Sequence, residues 1–70
     1  MQTLVFNTTT KKVTLYTGHP EKSEILMEID NVPTVKVLEN HYEVMQKDEF
    51  DKSTPVLRVG IEPTNMIIKK

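Results

Sequence analysis

Seventy residues allow one domain, near the size at which a single core leaves little net stability. The absence of cysteine excludes disulfides and thiolate metal sites, so self-association is the expected support and a homo-oligomer the expected state. The net charge of -1 is unevenly spread: residues 1–20 hold Lys11 and Lys12 and no acid, residues 53–70 hold Arg58, Lys69 and Lys70 against Glu62, and residues 21–52 hold nine acids against four lysines. If the two ends meet in the fold, their junction is basic in an acidic molecule. That suits a small anionic ligand and not duplex nucleic acid, whose binders cluster many cations.

The opening MQTLVFNTTTKK turns polar after Phe6, unlike a secretory signal, and no apolar run approaches the ~20 residues that span a bilayer. A soluble protein of the cytoplasm, with no membrane partner, is expected. Leu4 and Phe6 share one face of a first strand and Val5 takes the other; Val13 and Leu15 repeat the pattern after the Asn7–Lys11 turn region, so a β-hairpin is predicted. Nine threonines favour extended backbone, because a branched Cβ sits well on a pleated surface.

Gly18-His19-Pro20 closes that hairpin. EILMEID then sets Ile25, Met27 and Ile29 against Glu24, Glu28 and Asp30, with Leu26 breaking the polar face. A strand is expected there, although Leu, Met and Glu would also suit a short helix. Asn31-Val32-Pro33 stops either element. Val35 and Val37 lead into a second hairpin, with Asn40 expected to take the left-handed turn position and Tyr42 and Val44 returning. After a charged loop, PVLRVGI aligns Leu57, Val59 and Ile61. Glu62–Asn65 forms a turn, and Met66 to Lys69 rejoin the sheet.

The sum is a single all-β domain, residues 1–70, of six or seven short antiparallel strands in a small barrel or twisted meander. Val5, Leu26, Leu38, Met45, Val56 and Ile67 fall on the nominal outer face. A barrel this small has one interior, so these six either cover a second sheet or form a subunit interface, and in a chain this short the interface is the expectation.

Catalytic signatures are missing. Gly18 and Gly60 form no phosphate loop, His19 and His41 are isolated, and Ser23 and Ser53 have no activating neighbour, so no enzyme, cofactor or metal is expected. Arg58 interrupts an otherwise apolar strand. It calls for a partner, either a cross-strand acid such as Glu43 or a phosphate gripped by its guanidinium. Tyr16 and Tyr42 could stack on a base or cap the core, and Thr64 and Asn65 could recognise a ligand edge or satisfy their own turn.

YEVMQK, PVLRV, TNMIIKK and the opening LVFNTTTKKV together resemble short accessory proteins of bacteriophages that infect Gram-positive hosts, a group that includes the anti-CBASS nucleotide sponges. The resemblance implies a non-enzymatic oligomer in the infected cell's cytoplasm that sequesters a cyclic dinucleotide at sites between subunits. On that reading Arg58 and Lys12 hold phosphates, Tyr16 or Tyr42 stacks on bases, and Thr64 with Asn65 contacts a base or backbone edge. The rival expectations are an inhibitor that docks on a host protein through a sheet edge or apolar face, and a minor phage structural component.

Overall fold

The computed structural model describes residues 1–62 and 64–70. Seven strands form, with no helix among the described residues: β1 Gln2–Asn7, β2 Lys12–Tyr16, β3 Ile25–Ile29, β4 Val35–Val37, β5 His41–Lys47, β6 Ser53–Gly60 and β7 Thr64–Lys69. The all-β expectation holds, and EILMEID is a strand. The strands make two open sheets, ordered β3-β2-β1-β7 and β4-β5-β6, and no closed barrel.

Both hairpins read from the alternation are present. β1 pairs antiparallel with β2, and its loop is held by the Asn7 side chain, whose Oδ1 accepts the Thr9 and Thr10 amides at 3.0 Å each. Such a side-chain-closed turn is what Asn supplies at a hairpin mouth. β4 pairs with β5, but the left-handed residues are Lys11, Asn31 and Asp51, and Asn40 is not among them. Here Leu38–Asn40 closes with Leu38 N–H donating to His41 C=O at 2.9 Å.

The last strand departs from the meander. β7 pairs with β1, and in parallel, from Gln2 opposite Thr64 to Asn7 opposite Lys69. It therefore crosses from the three-stranded sheet to the four-stranded one. A parallel pair cannot be joined by a tight hairpin, so the first and last strands meet only after the whole chain between them has been placed. Pro63, inside the expected Glu62–Asn65 turn, lies outside the described residues; Thr64 and Asn65 already belong to β7.

Leu4, Phe6, Val13 and Leu15 on one sheet face Val44 and Val59 on the other, with Val32 plugged between, while Ile29, Val35, Tyr42, Leu57 and Met66 pack around them. Val32 is fully buried and its N–H donates to Lys11 C=O at 2.9 Å. The linker read as a simple stop is thus a core element. Of the six residues assigned to the outer face, Val5 and Met45 are buried. Leu26 and Val56 are extra residues at β-bulges, skipped in the pairing of β3 with β2 and of β6 with β5. A bulge breaks period-two alternation, which is why a strict face assignment fails at those two positions.

Candidate binding surface

The residues singled out from sequence do not converge. Arg58 lies on β6 opposite Glu43 of β5, and its Nε donates to Glu43 Oε2 at 3.1 Å. The Arg58 side chain is 69 % exposed while that of Glu43 is only 11 % exposed, so the cation covers a sunken carboxylate. This is the cross-strand pair that an arginine in an apolar strand demands. His41 adds to the cluster: its Nδ1 is 2.9 Å from Asn40 Oδ1, and its Nε2 is buried without a hydrogen-bond partner, 3.9 Å from Glu43 Oε2.

Tyr42 packs against the core from the inner face of β5. Thr64 is buried at the start of β7, with its N–H on Ile61 C=O at 3.0 Å and its hydroxyl 3.5 Å from Gln2 Oε1. Both residues serve the fold in this arrangement. Lys12, Tyr16 and Asn65 instead lie in the other sheet, away from Arg58. Tyr16 is opposite Thr3, and Thr3 is opposite Asn65, so the three make one transverse row. The Asn65 side-chain amide reaches Met1 Sδ at 2.9 Å. Beside this row a shallow depression of about 320 Å³ is lined by Met1, Thr3, Gly18, His19 and Asn65.

Lys12 pairs with Glu28 of β3 across the sheet at 3.1 Å. The hydrogen bond to Glu28, and then its charge, raise the Lys12 pKa above the ordinary lysine value. At this end of the sheet the two chain ends do meet. Thr8 N–H and Thr8 Oγ1 both donate to Lys69 C=O, at 2.8 and 3.0 Å, which sets Lys69 and Lys70 beside the loop that ends in Lys11 and leads into Lys12 of β2. The conditional drawn from the charge distribution is met by the parallel β1–β7 pair. A larger open groove of about 530 Å³ lies close by, bounded by Lys11, Asn31–Pro33 and Lys47–Glu49. Its cations are matched by Asp48 and Glu49, and Lys47 is paired with Asp51 at 3.2 Å.

Edge chemistry separates the two sheets. In the three-stranded sheet β4 has only three residues, and β6 carries Pro55 and Arg58, features that blunt an edge against unwanted pairing. β3 has a bulge at Leu26 and one acid, Glu28, but neither proline nor cation: Ile25 and Leu26 are each 51 % exposed and Met27 is 41 % exposed, three consecutive apolar residues on an unpaired edge. The opposite edge, β7, exposes Ile67 and Ile68. Sequence reading placed Leu26 and Ile67 at an interface, but it missed the edges themselves, because strand order is not written in the alternation.

Among the described residues no group of three or more metal-ligating side chains is gathered, and no helix is long and apolar enough to cross a membrane. Compared with protein-family models, curated proteins and solved structures, the chain matches none.

Proposed function

We propose that this chain is a non-catalytic binding protein that holds a protein partner by strand addition at the edges of its four-stranded sheet, acting in the cytoplasm as a viral accessory factor. The observation that carries this reading is the apolar β3 edge, where Ile25, Leu26 and Met27 stand exposed in succession. Unpaired N–H and C=O groups supply affinity in such an edge, and the flanking side chains supply selection. The test is capture from the host with tagged wild-type chain and a Leu26→Lys variant. Stoichiometric capture of one protein, this chain itself included, that is lost on Leu26→Lys supports the reading. Capture indifferent to Leu26→Lys overturns it.

A second reading has its own observation. The gathering of Lys11, Lys12, Lys69 and Lys70 at one end of the sheet favours a small anionic ligand such as a cyclic dinucleotide, sequestered and not turned over. Arg58, engaged by Glu43 on the other sheet, is not part of this version, nor is the inward-packed Tyr42. Calorimetry with cyclic di- and trinucleotides tests it. Binding that is weakened by Lys12→Ala or Lys69→Ala and unaffected by Arg58→Ala supports it; no heat with any nucleotide at micromolar protein removes it.

A further inference from the structure

We propose that the partner seated on these edges is a second copy of this chain, added head to tail so that β7 of one copy pairs with β3 of the next. The inference rests on the edge-binding reading above and names its occupant. It begins with charge. β3 is flanked by Glu24, Glu28 and Asp30 and has no cation from residue 24 to 30, while β7 ends in Lys69 and Lys70 and has no acid from 64 to 70. Glu28 is shared with Lys12. Among the described residues Glu24, Asp30, Lys69 and Lys70 make no ion pair, and all four are exposed.

Direction supports the same arrangement. β3 is antiparallel to β2, β2 is antiparallel to β1, and β7 is parallel to β1, so β3 and β7 run the same way at opposite edges. A copy advanced along the sheet without being turned over lays β3 parallel to β7. Their C-terminal ends then coincide: carried on in the register of the sheet itself, through the rows Ile29–Val13–Phe6–Ile68 and Met27–Leu15–Leu4–Met66, the contact sets Ile68 against Ile29 and Met66 against the exposed Met27 and brings Lys69 and Lys70 to Asp30. The alternative, two β3 edges related by a twofold axis, sets acid against acid and forfeits those pairs. Because the two surfaces differ, the contact is heterologous: copies close into a ring or extend as a filament, and do not stop at a symmetric dimer.

The deciding experiment uses two purified full-length variants and light scattering. Leu26→Lys/Asp30→Lys blocks the β3 edge and leaves β7 intact; Ile67→Lys/Ile68→Lys blocks β7 and leaves β3 intact. Both blocked edges are basic and cannot pair with each other. Wild type is expected to gain mass with concentration, each variant alone to associate at least about tenfold more weakly, and an equimolar mixture to form a complex of one chain of each kind. That complex requires two folded variants, so misfolding cannot imitate it. Two outcomes overturn the proposal: wild type that stays monomeric up to about 1 mM, and a β7-blocked variant that dimerises alone while the mixture yields no heteromer. Host capture of some other protein on the β3 edge, alongside a monomeric wild type, would leave the edge-binding reading standing and remove only the self-pairing.

Discussion

β1 and β6 look alike as sequence and differ as structure. TLVF in β1 is buried at all four positions, Thr3 to Phe6, whereas in the longer β6 only Val59 is buried and Leu57 half-buried. β1 lies between β2 and β7, so even its outward Thr3 and Val5 are covered by flanking side chains; β6 has a neighbour on one side only. Burial of a strand here is set by how many strands flank it, more than by its own apolar content. Flanking strands on both sides shield the outward face fully in β1 and by half in β2, where Lys12, Thr14 and Tyr16 stay partly exposed.

The largest effect should separate these two strands most clearly. Leu4→Ala removes a fully buried side chain and should cost about 2–5 kcal/mol, enough to unfold much of so small a domain, while Val56→Ala on β6 should stay within about 0.5 kcal/mol. Urea midpoints of the two variants measure the contrast, and comparable losses would break it. Next comes the loop that aligns β1 with β2. Lys11 sits at φ 59°, a left-handed position that favours glycine, so Lys11→Gly should stabilise by about 1 kcal/mol, visible as a raised melting temperature.

A smaller effect is expected on β6. Arg58→Ala should cost no more than about 1 kcal/mol, because the guanidinium is mostly in water, yet it should exceed the Val56→Ala change since it uncovers Glu43. A double-mutant cycle with Glu43→Gln should return a positive coupling, and zero coupling would make Arg58 an ordinary surface charge. The smallest effect belongs to Lys12. Its folded-state pKa is raised by Glu28, so the stability from that pair is fully present below the unfolded lysine pKa and is lost as pH climbs through the folded one. Melts taken from neutral to strongly alkaline pH should show a slight loss in wild type that is absent in Glu28→Gln, and added salt should shrink it.

Much of this architecture was readable in advance, and its limits have physical causes. Alternation at Leu4–Phe6, Val13–Leu15, Val35–Val37 and Tyr42–Val44 marked the hairpins, since adjacent antiparallel strands need only local pairing and a turn. The β1–β7 pair was not legible, because nothing in the residues from 64 to 69 distinguishes a return to β6 from a crossing to β1. The bulges at Leu26 and Val56 leave no local trace either. An arginine in an apolar strand calls for a partner, and of the two that the sequence offers, a cross-strand acid and a phosphate, Glu43 is the one seen beside Arg58. The proposed ligand set scattered because residue chemistry names what a side chain can grip, while sheet order decides which side chains share a surface. The four-lysine end was within reach of charge counting alone, given the meeting of the chain ends.

The parallel pairing of the first and last strands also bears on how the molecule is made. Gln2 and Thr64, facing each other in the sheet, are 62 positions apart in the chain. During synthesis β1 and β2 can form their hairpin early, but the flank of β1 that β7 will cover stays open until the other six strands have emerged. For that interval Thr-Leu-Val-Phe is an unguarded hydrophobic edge, a template for a neighbouring nascent chain. Such long-range closure slows folding, because loop entropy is lost before the contacts that offset it are formed. The strand that is most hidden in the finished protein is therefore the one most at risk on the way to it.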